Sequence, residues 1–400
     1  MRRSQCTVSA WHVQQLFANI LTPILGRWDN GRRCTLDAVL AVLAFAASRL
    51  VSLHDACLRL ANAPDSDTVF ARLHHQLTSA DELDRRVRRE LARQLPRALR
   101  RGRWRIAIDT TLIPYHGLPF RDPSEIYRGQ PKSGTTHFHA YATAYVVRDG
   151  RRFTLAMLWV NKGTPAEDVV RTLRRRVVAA GVNPRLFLLD RGFNTAGVVR
   201  YLHAARQPFI MPQAVHGKAP KDGQLCGLRA IRAHHPTGWT TYTWKPNRQR
   251  RVTVDLCVLR RRRRDRRGHR SFLYACWGVR LTPRSVYQVY RRRFGVETSY
   301  RQMNQARIRT TTRRPIVRLL FVAVALLLRN LWASLHWSWL AHRRRGGRRL
   351  RLERLRFRTM TIWLAHLAEQ LFDYDDQTVA EHPHLEELAI PIPETHNRNY

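Results

Sequence analysis

Two short apolar runs, each ending on an aspartate, constrain the fold of this chain more than any other feature. Segment 104–109 alternates before it ends at Asp109, and segment 186–190 is continuously apolar until Asp190. Both patterns predict buried strands. In helix-flanked sheets, side chains from neighbouring strands converge at the carboxyl edge. We therefore expect Asp109 and Asp190 to meet at one edge of a sheet.

A third acidic residue, Glu297, lies in a basic stretch with helical spacing, residues 285–304. Arg293 and Arg301 are four residues from Glu297, and Tyr290 is seven residues away. On a continuous helix these side chains would share one face. That face would be polar where a core-facing surface would be apolar.

The charge of the chain indicates its partner. The 400 residues carry a formal net charge of +42. Such a charge attracts polyanions and predicts steeply salt-dependent binding to phosphate backbones. Nucleic acid is the expected partner, and no membrane is expected. The uninterrupted apolar run 319–328 is shorter than the roughly 20 residues that span a bilayer.

The three acids suit divalent metal chemistry. Mg²⁺ prefers oxygen ligands and binds one or two carboxylates together with substrate phosphate. A pair of such ions about 3.5–4 Å apart can activate an attacking oxygen and stabilise the leaving oxygen. Each acid also has an ordinary interpretation: Asp109 and Asp190 as loop caps, and Glu297 as the partner of a nearby arginine on its helix.

Three sequence blocks, in order, resemble the DDE transposases of prokaryotic insertion sequences, in the insertion-sequence-four-like branch. Tyr290, Arg293 and Glu297 match the family's signature of Tyr, two residues, Arg, three residues, Glu. Segment 189–194 resembles its Asp-Arg-Gly-Phe turn, and segment 108–117 resembles the opening Asp block of one subgroup. The resemblance covers about residues 104–314.

One position departs from the family pattern. Asn304 stands where the family usually has a Lys, and Arg301 or Arg307 could replace that phosphate contact.

The resemblance implies an α/β fold. Its centre would be a ribonuclease H-like mixed-sheet core, interrupted by an all-β insertion and flanked by helical N- and C-terminal regions. It also implies that Asp109, Asp190 and Glu297 hold Mg²⁺, for which Mn²⁺ can substitute.

The resemblance assigns DNA contacts as well. Tyr290, Arg293, Arg301 and Arg307 would position phosphates. An aromatic residue of the insertion can receive an extruded base in such enzymes, and the candidates are Trp239 and Trp244. An equally open interpretation is that these tryptophans are packing or cross-strand pairs. A homodimer on paired double-stranded DNA ends is the implied assembly.

Local signals place the core elements. Segments 136–147 and 153–160 are β-rich and joined by an Asp149-Gly150 hairpin turn. Thr164 is expected to cap a helix that has Pro165 at its first position and extends to about Ala180. Four further strands are predicted after Asp190, at 208–214, 238–244, 251–259 and 271–279.

The chain divides into six expected regions. Residues 1–100 form a helical region, either for DNA-end binding or as a bundle that buttresses the core. The remainder comprises a first core segment (101–207), a β-rich insertion (208–280), a second core segment with the Glu297 helix (281–315), C-terminal helices (316–372) and an acidic tail expected to be disordered or loosely docked (373–400).

The expected function is metal-dependent DNA cleavage at transposon ends, followed by transfer of the 3′-hydroxyl into target DNA. The alternatives are a nuclease that does not join strands, an inactive DNA-binding relic and, less favoured, a membrane-associated protein. The six cysteines have no CxxC spacing, and the N-terminus is too polar for a signal-peptide core. A cytoplasmic, nucleoid-associated location is therefore expected.

Overall fold

The computed structural model describes residues 7–26, 28, 34–147, 153–215, 224–244, 251–262, 269–344, 347–349 and 351–374. Within these residues, one nine-stranded sheet forms the centre of the molecule. The Asp149-Gly150 turn and tail residues 375–400 lie outside the described residues.

Six helices precede the sheet. They are α1 (Ala10–Leu25), α2 (Leu36–Arg49), α3 (Leu53–Arg59), α4 (Ser66–Gln76), α5 (Ala80–Arg93) and α6 (Arg97–Arg100). Side-chain caps fix several of their starts; Thr35 accepts a hydrogen bond from the Ala38 amide, for example. Helix α5 buries Leu83, Val87 and Leu91, which repeat every four residues along one face.

The core sheet begins with antiparallel strands. These are β1 (Arg103–Pro114), β2 (Tyr127–Lys132), β3 (Thr135–Val146) and β4 (Thr154–Val160). Strand β3 pairs with β1 on one side and with both β2 and β4 on the other. The predicted hairpin strands are therefore present.

Two parallel strands complete the core. Strands β5 (Asn183–Leu189) and β6 (Phe209–Pro212) run parallel to β1, which gives the order β4-β3-β1-β5-β6. This mixed arrangement confirms the predicted ribonuclease H-like sheet. Because β6 belongs to it, the predicted boundary at residue 207 divides the core sheet.

Two helices connect these parallel strands, α7 (Ala166–Ala179) and α8 (Ala196–Ala204). The predicted cap of α7 was wrong by one residue: Pro165 is the N-cap, and no side chain caps the helix. Since Pro has no amide hydrogen, it leaves no unsatisfied donor at this position.

The insertion is continuous with the core sheet. Helix α9 (Gly227–His234) is followed by β7 (Gly238–Trp244), β8 (Val252–Arg262) and β9 (His269–Trp277). Strand β9 pairs antiparallel with β6, so these three strands extend the sheet in the order β6-β9-β8-β7. The expectation of an all-β insertion is corrected by α9, whose eight residues are too few for a clear helical period.

The predicted continuous helix over 285–304 is interrupted. Helix α10 (Pro283–Arg291) ends in a 3₁₀ turn, Arg292–Phe294, and α11 (Gly295–Asn304) follows. The tighter 3₁₀ turn changes the angular position of the residues that follow. Tyr290 and Arg301 therefore do not share one regular helix face.

The C-terminal region consists of α12 (Pro315–Leu335), a hairpin of β10 (His342–Arg344) and β11 (Gly347–Arg349), and α13 (Phe357–Phe372). Segment Pro315–Leu340 is long and apolar enough to cross a bilayer, but 94% of its most apolar window is buried inside the protein. Arg318, Arg329 and Asn330 are buried within it, so the apolar helix is longer than the run 319–328 suggested.

Candidate active site

Asp109 and Asp190 lie side by side on neighbouring parallel strands. Strands β1 and β5 pair in a register that places Ile108 opposite Leu189. Asp109 is the next residue of β1, and Asp190 directly follows the end of β5. The two aspartates are neighbours, as predicted, but only Asp190 follows the end of its strand, because β1 continues beyond Asp109 to Pro114.

One guanidinium group joins the two carboxylates. The Nη2 atom of Arg293 lies 3.1 Å from Asp109 Oδ1 and 2.7 Å from Asp190 Oδ1. The Arg293 side chain is 6% exposed, whereas that of Asp190 is 43% exposed. Because both carboxylates share one nitrogen, they lie close enough together to share one cation. One side of the pair faces solvent.

The 3₁₀ turn and Tyr290 place Arg293 here. The Tyr290 hydroxyl donates to the Leu189 carbonyl at 3.1 Å, one residue before Asp190. The Arg293 guanidinium lies 5.8 Å from the centre of the Tyr290 ring. Tyr290 thus fixes the end of α10 against the end of β5.

Burial and the charges at this edge together shift two pKa values. Burial raises the pKa of Tyr290, although the Arg293 cation opposes that rise. Burial alone would lower the pKa of Arg293, but interactions with Tyr290, Asp109 and Asp190 outweigh it and raise the pKa overall. Arg293 therefore remains a cation between the aspartates.

Each aspartate also has a backbone partner. Asp109 Oδ1 accepts from the Thr110 amide at 2.9 Å. Asp190 caps the short 3₁₀ turn Arg191–Phe193, with Gly192 N 3.5 Å from its Oδ2. The loop-capping interpretation is therefore also true of Asp190, and it is compatible with a catalytic role because the other carboxylate oxygen contacts Arg293.

Tyr300 joins α11 to β1 at the same place. Its hydroxyl donates to the Asp109 carbonyl at 3.0 Å and lies 2.6 Å from Thr143 Oγ1. Thr143 is the β3 residue paired with Asp109. The sequence analysis did not identify Tyr300 or Thr143 as site residues. A threonine within the apolar run of β3 was a signal that could have indicated Thr143.

An amide pair supports the loop after Asp190. Asn194 and Gln213 exchange hydrogen bonds of 3.4 and 3.1 Å, and Gln213 also donates to the Ala214 carbonyl. This pair fastens the loop to the end of β6. It was not predicted, since its two members are 19 residues apart in the chain.

Glu297 lies in α11, one helical turn before Tyr300. The contact between Tyr300 and Asp109 therefore brings the α11 backbone that carries Glu297 beside β1. The Glu297 side chain is outside the described part of the structure.

The donor set at this edge fits a hard divalent cation. Among the described residues, no group of three or more His, Cys, Asp and Glu side chains is arranged to hold a metal ion. The two aspartates supply carboxylate oxygens at one solvent-facing edge, and Mg²⁺ needs only one or two carboxylates when phosphate completes its ligands. Asp109 and Asp190 are therefore the residues that would hold such an ion.

The two other predicted arginines lie on or just after α11. Arg301 is exposed on that helix. Arg307 donates through Nε to Asn304 Oδ1 at 3.3 Å. Burial, with repulsion from Arg309, lowers the pKa of Arg307 to about 10. Arg307 thus contacts the residue that stands at the family's Lys position.

The two predicted tryptophans lie on β7, at the far edge of the sheet. Four strand spacings, about 19 Å, separate that edge from β5. Trp239 is 36% exposed and donates to the Leu281 carbonyl at 3.1 Å. Trp244 makes an edge contact with Tyr242, with ring centres 6.1 Å apart. The structure does not bring either tryptophan to the aspartates.

The block after Asp109 has a structural explanation. The Tyr115 hydroxyl donates to the Leu118 carbonyl at 2.6 Å. A Cβ atom at Gly117 would lie 2.6 Å from that hydroxyl oxygen, so a larger residue there would require the Tyr115 side chain to shift. This turn closes the extension of β1 beyond Asp109.

Comparison with known proteins agrees with this architecture. The fold and the site define the class: a ribonuclease H-like sheet with one aspartate within β1 and a second directly after the parallel strand β5. A family model described as "Transposase DDE domain" matches residues 100–331. The chain belongs to this transposase family.

A solved structure, a piggyBac transposase synaptic complex with hairpin DNA, has a similar fold. It aligns with a TM-score of 0.56 and 12% sequence identity, over 96% of this chain and 88% of that chain. No curated protein sequence matches the chain significantly.

Proposed function

We propose that this chain is an active transposase that cuts DNA at transposon ends and transfers the freed 3′-hydroxyl into target DNA. The observation that carries the proposal is the convergence of Asp109 and Asp190 on one guanidinium nitrogen at the carboxyl edge of the sheet. The family match over residues 100–331 supports it. We also propose that the chain belongs to the insertion-sequence-four-like branch of this family.

The two aspartates would hold Mg²⁺, for which Mn²⁺ can substitute, and Glu297 would complete the site. When bound, divalent ions activate the attacking oxygen and stabilise the leaving oxygen of an in-line displacement. In the first reaction, water attacks phosphorus and the bond to the 3′ oxygen breaks. In the second, that 3′-hydroxyl attacks a target phosphodiester and displaces its 3′ oxygen.

The chain's own cations would position the phosphates. Arg293 neutralises the repulsion between the aspartates, and its planar guanidinium can make paired hydrogen bonds to phosphate. Tyr290 would keep Arg293 at this edge. Arg301, on α11, and Arg307, just after it, would contact flanking phosphates. None of these residues forms a covalent bond to DNA in this scheme.

The remaining assignments follow from the same proposal. Double-stranded DNA is the substrate, the assembly is a homodimer on paired ends, and the site of action is the cytoplasmic nucleoid. The similar piggyBac structure is a complex with hairpin DNA, which supports the choice of partner. The N-terminal helices would contribute to DNA-end binding while also packing on the core.

The proposal is tested by incubating purified protein with a labelled duplex carrying the inverted repeats that flank its gene, and a supercoiled target. Reactions contain Mg²⁺ or EDTA. The wild type is compared with Asp190→Ala and with Asp255→Ala, which changes an exposed aspartate on β8.

We expect cleavage and joined products with Mg²⁺ for the wild type and Asp255→Ala, and none with EDTA or for Asp190→Ala. Cleavage without joining would favour a nuclease. DNA binding without strand breakage, alike in all three proteins, would contradict the proposal and favour a DNA-binding relic.

A further inference from the structure

Two adjoining cavities lie along α10, and one of them reaches Arg191, the residue after Asp190. The first, of about 460 Å³, is lined by Arg191 and Tyr290 among others. The second, of about 580 Å³, reaches the end of β8. Tyr287 and Arg291 line both cavities. We refer to the two together as the α10 cleft.

The α10 cleft is strongly cationic. Among the residues that the structure describes, eight arginines and no acidic residue line it. They are Arg191, Arg232, Arg260, Arg261, Arg262, Arg270, Arg284 and Arg291.

No carboxylate neutralises this charge within the described part of the chain. The ion pairs identified there involve none of these eight arginines. The buried Nε of Arg260 also has no hydrogen-bond partner among the described residues. Such a surface suits a ligand that carries several negative charges.

An aromatic ring stands at the junction of the two cavities. The half-buried Tyr287 ring lies 5.0 Å from the centre of the Phe272 ring. The guanidinium carbons of Arg261 and Arg291 lie 5.1 and 5.6 Å from the centre of the Tyr287 ring. Both arginines keep N–H donors for a ligand, because no carboxylate in the described residues pairs with them.

The clustered arginines and the Tyr287 ring together favour one class of polyanion as the ligand. A positively charged groove with aromatic side chains in it is how proteins bind single-stranded nucleic acid. A duplex presents phosphates, but its bases are stacked inside and cannot reach a ring such as Tyr287. The cleft also starts at Tyr290, whose hydroxyl holds the residue before Asp190.

We propose that the α10 cleft binds an unpaired DNA strand that leads away from the Asp109–Asp190 edge, with phosphates on its arginines and a base on Tyr287. This inference rests on the proposed function and adds a path for one strand of the substrate. It also places base stacking on Tyr287, which sequence reasoning did not consider, rather than on Trp239 or Trp244.

The test measures binding to the full-length protein in EDTA, by fluorescence anisotropy. Three probes of equal length are used: an oligothymidine, an abasic oligonucleotide and a blunt duplex. The variants are Tyr287→Ala, Tyr287→Phe and Arg261→Ala. The matched controls are Trp239→Ala and Arg59→Ala, the latter an exposed arginine on α3.

We expect Tyr287→Ala to weaken oligothymidine binding roughly 5- to 150-fold, the range for losing one base stack. Its binding to the abasic probe and to the duplex should stay unchanged, and Tyr287→Phe should bind like the wild type. Arg261→Ala should lower the salt dependence of oligothymidine binding by about one unit of slope. Arg59→Ala should leave that slope unchanged.

Two results would overturn the inference. One is oligothymidine binding by Tyr287→Ala that equals the wild type, and the other is a loss in Trp239→Ala alone. The two proposals fail separately. If the protein cuts and joins DNA but binds oligothymidine equally well without Tyr287, only the proposal for the α10 cleft is rejected. If it binds oligothymidine through Tyr287 but never cuts DNA, only the catalytic proposal is rejected.

Discussion

At the scale of single residues, Arg293 explains how two carboxylates can lie together at the edge of the sheet. Like charges so close would repel each other. The buried guanidinium offsets that repulsion from 3.1 and 2.7 Å. A divalent ion would bind the same two carboxylates, so we infer that it would compete with Arg293 for them.

Replacing Arg293 should therefore strengthen metal binding. In Arg293→Ala the aspartates lose their internal cation, and we expect Mn²⁺ to bind at least about tenfold more tightly, equivalent to about 1.4 kcal/mol. Arg293→Lys keeps a charge and should lie between this variant and the wild type. Isothermal titration calorimetry without DNA measures the affinities.

The control for this experiment is Arg301→Ala, which removes an exposed arginine from the neighbouring helix α11. Its Mn²⁺ affinity should equal that of the wild type. If Arg293→Ala binds Mn²⁺ no more tightly than the wild type, Arg293 is a structural cation and does not compete with metal.

The sequence indicated that Tyr290 and Arg293 belong to the site, but it did not predict which residues they contact. Tyr290 and Arg293 stood out by their spacing from Glu297. The assumption of one helix face was wrong, because the 3₁₀ turn Arg292–Phe294 breaks the helix. Tyr300 could not be predicted as a partner of Asp109, since that contact joins residues 191 positions apart.

At the scale of elements, the buried strands were the most predictable feature of the molecule. Their apolar runs are short and bounded by polar residues, as at Asp190. The extension of the core sheet by β9, β8 and β7 was not predicted, because strand pairing over long separations leaves no local pattern. Helix α9 was not predicted, because its eight residues are too few to show a clear helical period.

Strand β3 contains a buried histidine that should make the fold sensitive to acid. His139 is 1% exposed, and neither ring nitrogen has a hydrogen-bond partner among the described residues. Burial, with repulsion from Arg318, lowers its pKa from 6.5 to about 3. Below pH 6.5 the unfolded chain binds a proton at this position that the folded protein does not.

Stability linked to His139 is thus fully present above pH 6.5 and is lost as the pH falls towards 3. We expect the free energy of unfolding to fall by about 2 kcal/mol more for the wild type than for His139→Phe between pH 7 and pH 5. Urea denaturation at both pH values measures this difference.

The same change at exposed His75 should leave the pH dependence of stability as in the wild type. An equal loss of stability in the wild type and His139→Phe would mean that His139 is protonated in the folded protein.

At the scale of the whole molecule, the two terminal regions pack together and onto the core. Arg176 of α7 forms an ion pair with Asp84 of α5, at 2.7 Å. Arg49 of α2 pairs with Glu369 of α13, more than 300 residues away in sequence. These contacts show that the N-terminal helices buttress the core; their role in DNA-end binding stays a prediction.

The packing of the terminal regions on each other and on the core could not be predicted from the sequence-based division into regions. Amphipathic helices such as α5 predict that an apolar face will be buried, but not against which element. The buried helix α12 shows the same limit. Its amide side chain at Asn330 accepts from the Thr154 amide at 2.9 Å and donates to the Thr154 carbonyl at 2.8 Å, a contact with β4 that no local pattern specifies.

The measurement that tests the role of the aspartate pair most directly is a change of metal preference in Asp190→Cys. Thiolate is a softer ligand than carboxylate and binds Mg²⁺ poorly, whereas Mn²⁺ tolerates it better. DNA-end cleavage by Asp190→Cys should be lost in Mg²⁺ and partly restored in Mn²⁺. Asp255→Cys should cleave like the wild type in both metals. Cleavage by folded Asp190→Cys at the wild-type rate in Mg²⁺ would contradict metal binding by Asp190.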